Sequence, residues 1–203
     1  MTFDYIMDMI IQKWGRLEHE SNYLYSGSPS YLSGGKFNYV FRPINMDPIL
    51  KYFSENNLSM PDELKSFYTK CNGLKIALGA FSIYGFPDWR NRVKPFDFLL
   101  ENMNIHTELK VNGIDSGELL FFGSFIGTYA FAYSNNYPNH YFCYNRCNLK
   151  TLLSFASFLE LCEFFVPKIL LEYDKQFNKL KPNIEYADIP LLANSLLGLD
   201  GLD

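Results

Sequence analysis

The sequence predicts a single α+β domain, residues 1–203, in which helices flank a central sheet that is mostly antiparallel or mixed. The chain has 203 residues, of which 48% are hydrophobic and 18% aromatic, and this is enough to bury one sizeable core. Helical spacing of apolar residues dominates before residue 73, and short apolar runs bounded by glycine or proline dominate after it. Helices followed by a run of strands are typical of α+β folds, whereas a doubly wound sheet alternates the two strictly.

Two helices and a loop are predicted in the first part of the chain. Apolar residues recur at helical spacing over residues 3–17, and Gly15 begins to break the pattern. Residues 26–37 are rich in glycine, proline and serine, a composition that favours a loop. A second helix is expected over residues 47–56.

The third helix has the clearest boundaries, in the stretch LSMPDELKSFYTKCNGLKI. Ser59 with Asp62 forms an acidic relative of the Ser-x-x-Glu capping box, and Pro61 is expected in the first turn. The apolar residues recur at i, i+3, i+4 and i+7 and define one buried face: Leu64, Phe67, Tyr68 and Cys71. Asn72-Gly73 then supplies the left-handed residue that is expected to end the helix.

Five strands and a closing helix are predicted after Gly73. The strands are short apolar runs between glycine, proline or polar residues: 74–78, 81–84, 118–122, 129–133 and 141–144. Residues 96–103 are expected to form a helix, or a turn of helix followed by extended chain. A long helix is predicted over residues 152–165, Pro167 ends or kinks it, and residues 168–179 could continue as another helix.

Charge and hydropathy exclude several classes of protein. A formal net charge of −4 and a pI of about 5.4 disfavour direct binding to nucleic acid or to an anionic membrane, and leave room for a basic protein partner. Asp4 and Asp8 stand where a signal peptide needs Lys or Arg, and no stretch approaches the roughly 18 to 20 uninterrupted apolar residues of a membrane span. The expected location is therefore the cytoplasm, where cysteines stay reduced.

No catalytic motif is recognisable, so the sequence predicts neither an enzyme nor a cofactor. The three histidines are isolated along the chain, and there is no G-x-S-x-G elbow. The alternative is an enzyme whose site assembles from scattered residues such as His106, His140 and Asp115.

Two further patterns hint at ligands without meeting the requirements of a site. His140, Cys143 and Cys147 have the spacing H-x2-C-x3-C, but structural zinc needs four ligands, and residues three apart on a strand point to opposite faces. The loop around Lys36 resembles a phosphate loop, but Phe37 stands where the motif needs a hydroxyl. No metal is therefore predicted.

Five residues are candidates for contact with a partner protein. They are Trp89, Arg90, Arg92, Asp115 and Glu118. The first three belong to a basic loop over residues 88–94, and Trp and Arg often dominate binding energy. The last two belong to an acidic segment that suits a basic partner. Residues 183–203 contain no Lys or Arg and suit a tail that docks onto the domain, a partner-binding element or a frayed end.

An ordered series of short motifs occupies residues 45–166. It begins with MPDELKSFY followed by CNG, and continues with FSIYG, LLFFG, YAFAY and SFASFLE. This order resembles the SUKH superfamily, whose first motif has the form LP-x-x-[YL]-x-x-F/Y … NG. The superfamily takes in Smi/Knr-type fungal cell-wall regulators and many bacterial immunity proteins. The matching positions, which the resemblance implies are structural, are Pro61, Leu64, Phe67, Asn72, Gly73, Gly85 and Gly123.

The resemblance implies a SUKH-like fold and a binding function without catalysis. Its bacterial members suggest an immunity protein that binds and neutralises a cognate toxin of a polymorphic or contact-dependent toxin system. Its fungal members suggest the alternative, a regulatory scaffold in cell-wall or signalling pathways. The helix at the start and the extension at the end of the chain lie outside the matching region.

Overall fold

In the described part of the chain, nine antiparallel strands form one sheet, and their order across the sheet is their order along the chain. The computed structural model describes residues 2–19, 23–26, 36–43, 45–55, 60–85, 119–134, 137, 140–146 and 150–180. The strands are β1 (Glu18–His19), β2 (Tyr23–Ser26), β3 (Asn38–Phe41), β4 (Leu74–Ile76), β5 (Phe81–Ile83), β6 (Leu119–Phe125), β7 (Tyr129–Ser134), β8 (Tyr141–Asn145) and β9 (Thr151–Phe155). The α-helices in the described residues are α1 (Thr2–Trp14), α2 (Asp47–Glu55), α3 (Asp62–Lys70) and α4 (Phe158–Leu171). The arrangement is α+β, and every strand pair described is antiparallel.

The core lies between the inner face of the sheet and the helices α1, α3 and α4. The ring of Phe165 on α4 lies 4.7 Å from that of Phe125 on β6 and 4.9 Å from that of Phe131 on β7. Phe3 of α1 meets Phe67 of α3 edge to face at 6.2 Å. The high aromatic content therefore serves mainly to fill this layer, since paired rings add stabilisation to their area burial.

The sequence prediction missed the first three strands. Strands β1 to β3 precede α2, so strands do not begin only after Gly73 as expected. The buried Asn38 begins β3, and its side-chain Oδ1 accepts a hydrogen bond of 2.9 Å from the backbone N–H of Ala77. These strands are two to four residues long, which is too short for alternation to be recognised beside a segment rich in glycine and serine.

The predicted closing helix over residues 152–165 is wrong in its first part. Thr151–Phe155 forms β9, paired with β8, and the helix begins only at Phe158. Ser157 is the N-cap, with its Oγ accepting from the N–H of Glu160 at 3.0 Å. Glu160 in turn accepts from the N–H of Ala156 at 2.8 Å. A variant of the Ser-x-x-Glu capping box, in which the glutamate bonds to the residue before the N-cap, therefore separates strand from helix.

The chain beyond Pro167 also differs from expectation. Pro167 lies inside α4, which continues to Leu171. Residues 168–179 do not form a separate helix. After α4 the chain turns back, and an antiparallel bridge joins Tyr173 to Lys179.

Glu172, at the end of α4, is a buried carboxylate with incomplete pairing. It is 4% exposed, and its Oε1 has no hydrogen-bond partner among the described residues. Its Oε2 lies 3.8 Å from Nζ of Lys179. Burial raises the pKa of Glu172 above its ordinary value, and the lysine opposes this shift.

Replacing Glu172 with glutamine is expected to stabilise the fold at pH 7, by about 1 kcal/mol, because a buried and incompletely paired charge is removed. A carboxylate whose folded pKa is raised stabilises the fold below its unfolded pKa, and this contribution is lost as pH rises through the folded pKa. The advantage of Glu172→Gln should therefore shrink toward zero as pH falls below 4.5. Urea unfolding at pH 4 and pH 7 measures it, and an equal advantage at both would contradict the assignment.

Helix α3 matches its predicted span closely but not its predicted ends. Pro61 is the N-cap, one residue before the helix, and makes no side-chain cap. The predicted cap Ser59 lies outside the described residues. The helix ends at Lys70, the next residue is extended, and the left-handed Gly73, with φ of +90°, leads into β4 instead of capping the helix.

Glycines of the motif series lie where backbones approach closely. A Cβ added to Gly73 would lie 2.7 Å from the backbone nitrogen of Gly85, and one added to Gly85 would lie 2.1 Å from the carbonyl oxygen of Asn72. At Gly123 the added atom would lie 2.5 Å from the carbonyl oxygen of Ser82. Side chains at these positions would separate the α3–β4 connection from β5, and β5 from β6.

Candidate partner-binding surface

The five residues predicted to contact a partner all lie outside the described residues. Trp89, Arg90, Arg92, Asp115 and Glu118 belong to residues 86–118. The described part of the chain presents a different candidate surface.

A row of aromatic rings crosses the outer face of the sheet, opposite the helices. Side chains of β8 alternate, so Tyr141 and Cys143 enter the core, while Phe142 and Tyr144 belong to a separate cluster on the other face. We call the following set the aromatic row: Tyr137, His140, Phe142, Tyr144 and Phe121. Its central ring is that of Phe142.

The rings of the aromatic row contact one another in sequence. Phe142 packs against Tyr137 at 5.9 Å between centroids, stacks with His140 at 6.3 Å, and lies 5.8 Å from Tyr144. Tyr144 then meets Phe121 edge to face at 6.3 Å. These centroid separations fall within the range of favourable aromatic pairs.

Strand pairing explains how the aromatic row forms. On the central strand β7, Ala132 is the cross-strand partner of both Phe121 on β6 and Phe142 on β8. A methyl side chain between two rings leaves room for them to approach over it. In the connection before β8, the N–H of His140 donates to the carbonyl of Tyr137 at 3.2 Å, which brings both rings to the same end of the row.

The aromatic row is fixed at one end and open at the other. Phe121 is fully buried, Tyr144 nearly so, and Phe142 partly buried, whereas Tyr137 is 62% exposed and His140 is exposed. Burial raises the pKa of Tyr144, and a hydrogen bond from Thr151 opposes this shift. Tyr137 and His140 precede β8 and pack on Phe142 of that paired strand, so the exposed end of the row can present rings to a partner that are already in contact.

A second exposed feature lies at a strained turn between β4 and β5. Ala77 and Leu78 have φ of +52° and +62°, which is unfavourable for residues with a side chain, and Leu78 is 46% exposed. Its N–H donates to the carbonyl of Phe37 at 2.8 Å. The turn of β6 and β7 adjoins it, since the N–H of Ile126 donates to Ala80 O at 2.6 Å.

The three residues with the spacing of zinc ligands, His140, Cys143 and Cys147, do not converge. Cys143 faces the core, His140 is exposed beside the ring of Phe142, and Cys147 lies outside the described residues. Within the described ranges, no group of three or more His, Cys, Asp and Glu side chains could hold a metal ion. Burial raises the pKa of the Cys71, Cys143 and Cys162 thiols, which favours the protonated, unreactive form.

A shallow pocket of about 200 Å³ between α1 and α3 contains Glu63, which has a structural role. Its Oε2 accepts a hydrogen bond of 2.6 Å from the N–H of Phe158, at the first turn of α4. The Glu63 carboxylate also accepts a hydrogen bond from the hydroxyl of Tyr141. Burial, together with this carboxylate, raises the pKa of Tyr141. Glu63 therefore joins α3, α4 and β8, a role that its position on a helix surface did not indicate.

The sequence contained one usable signal for the aromatic row. The segment Tyr141-Phe142-Cys143-Tyr144 was correctly predicted as a strand, and its alternation places Phe142 and Tyr144 together on one face. No helix in the described part of the chain combines the length and the apolar character needed to cross a membrane.

Comparisons with protein-family models, with curated proteins and with solved structures found no match in any of the three.

Proposed function

We propose that this chain is a non-catalytic binding protein of the immunity type, which binds and neutralises a cognate toxin domain in the bacterial cytoplasm. The observation that supports it most is the aromatic row, a set of packed rings on the sheet and on the connection before β8, with its Tyr137 end exposed. The toxin as partner comes from the ordered SUKH-like motifs, and this step rests on analogy.

Neutralisation by such a protein needs only stoichiometric coverage of the toxin. A stable complex buries roughly 1,200–2,000 Å² with a few aromatic or arginine anchors at its centre. Tyr137 and Phe142 are suited to be such anchors, because an aromatic ring offers a large rigid contact, and Tyr137 adds a hydroxyl donor. The net charge of −4 would favour association with a basic toxin domain.

Expression of the neighbouring reading frame tests the proposed function. Its product is expected to stop growth when expressed alone and to be harmless when co-expressed with this chain. A pull-down from the native cell should recover one stoichiometric partner with a toxin domain. Equal killing with and without the chain would contradict the proposal, and recovery of several signalling or wall-synthesis proteins would favour the regulatory scaffold.

Replacing Tyr137 with alanine is expected to weaken binding of the toxin domain by at least about 30-fold, the loss typical of an interface hot spot. Because Tyr137 is 62% exposed, the melting temperature should stay near that of the wild type. Calorimetric titration with the toxin domain measures the change.

Two controls accompany Tyr137→Ala. Tyr137→Phe keeps the ring and should retain most of the affinity. Leu50 lies on α2 and is 41% exposed, so Leu50→Ala also removes an accessible side chain. This variant should leave binding unchanged. Wild-type affinity in Tyr137→Ala would exclude this end of the aromatic row as an anchor.

A further inference from the structure

An apolar groove lies between the first and the last described helices. Its volume is about 320 Å³, and it is lined by Met9, Gln12, Lys13, Pro167, Leu170 and Leu171. Leu171 is 70% exposed, the largest exposed fraction among the large hydrophobic side chains described. An accessible leucine beside Met9 and Leu170 offers an apolar contact that water occupies poorly.

We propose that residues 189–199 of this same chain, IPLLANSLLGL, bind in this groove. The described chain ends beside it, because the N–H of Leu180 donates to the carbonyl of Glu172 at 2.7 Å, one residue after the end of α4. Pro167 and Glu172 are separated by roughly 7.5 Å of helix rise. The eight residues 181–188 span up to roughly 26 Å when extended, so the linker is long enough.

The composition of the C-terminal segment complements the groove. Leu192, Leu196 and Leu199 recur at i, i+4 and i+7, the spacing by which a short apolar face enters a groove. Residues 182–203 contain no Lys or Arg, and their acidic residues are Glu185, Asp188, Asp200 and Asp203. On the groove side, Lys13 contributes a cation to the lining, opposite in sign to Asp188 and Asp200, which flank the segment.

Attachment to the same chain makes even a weak contact effective. A short flexible linker gives an effective concentration in the millimolar range. A segment that binds the groove with a Kd of about 0.1 mM as a free peptide would therefore be bound for about 90% of the time. The two surfaces need no more than an ordinary apolar match.

Hydrogen exchange of the full chain, followed by mass spectrometry, tests the proposal. Amides of residues 189–199 are expected to exchange at least about tenfold more slowly than those of a free peptide of the same sequence. Leu171→Asp should abolish this protection, whereas Leu50→Asp, which changes an exposed leucine on α2, should not. Conversely, Leu196→Asp should speed exchange in the α1 and α4 segments that line the groove.

The remaining outcomes separate other occupants of the groove. Exchange of residues 189–199 at the free-peptide rate in the wild type would overturn the proposal. Protection that disappears on dilution, together with a dimer mass in light scattering, would assign the groove to a second copy and overturn it as well. Protection that is independent of concentration in a monomer, and lost only in the groove variants, supports it.

Discussion

Replacing Gly73 with valine is expected to cost about 4 kcal/mol of folding free energy, a large part of the 5–15 kcal/mol typical of a domain. Gly73 has φ of +90°, a region that β-branched residues resist. The added Cβ would also lie 2.7 Å from the backbone nitrogen of Gly85 and from the carbonyl oxygen of Ile83. These neighbours are backbone atoms of a paired strand and its end, so they cannot move aside cheaply.

Gly15 provides the matched control for this prediction. It has φ of +84°, yet an added Cβ would meet nothing within 4 Å. Gly15→Val therefore imposes the conformational strain without the clash, and about 1–2 kcal/mol should be lost. Urea unfolding of both variants separates the two contributions. Equal losses would show that the contact between Gly73 and Gly85 does not limit stability.

Replacing Phe165 with alanine is expected to cost about 3–5 kcal/mol, the range for a fully buried phenylalanine. The residue is 0% exposed, and its ring contacts Phe125, Phe131 and Phe155 at 4.7, 4.9 and 5.9 Å. Three strands contribute these rings, so the cavity could not close without moving the sheet.

Phe164, the preceding residue on α4, is the control for Phe165. It is only partly buried, and Nζ of Lys168 lies 3.6 Å from its ring centroid. Phe164→Ala should cost about 1–2 kcal/mol, since part of its surface already faces solvent. Urea unfolding gives both values, and a loss at Phe164 as large as that at Phe165 would contradict the placement of the core.

The elements that sequence reasoning located best were those with long and consistent patterns. Helix α3 has an apolar face at helical spacing and a proline at its start, and the runs that form β7 and β8 are bounded by turn residues. The prediction for the segment that forms β9 was wrong because Leu152, Leu153 and Phe155 suit either a strand or one side of a helix. Giving weight to Ser157 and Glu160 as a capping box would have resolved the ambiguity.

The candidate surface was less accessible to sequence reasoning than the fold. The aromatic row brings together β6, β8 and the connection before β8, and Phe121 and Phe142 lie on either side of Ala132 of β7. The groove depends on the packing of α1 against α4, two helices at opposite ends of the described chain. Such contacts are set by tertiary structure, which local patterns along the chain do not encode.

Packing of α4 over the inner face of the sheet has a consequence for synthesis on the ribosome. The nine strands can pair one after another as they emerge, because each neighbour in the sheet is the next strand in the chain. The inner face of that sheet, however, lacks the cover of Phe165 and Leu161 until α4 has left the exit tunnel. A nascent chain that stalls before α4 would therefore present an aromatic surface to chaperones or to other unfinished chains.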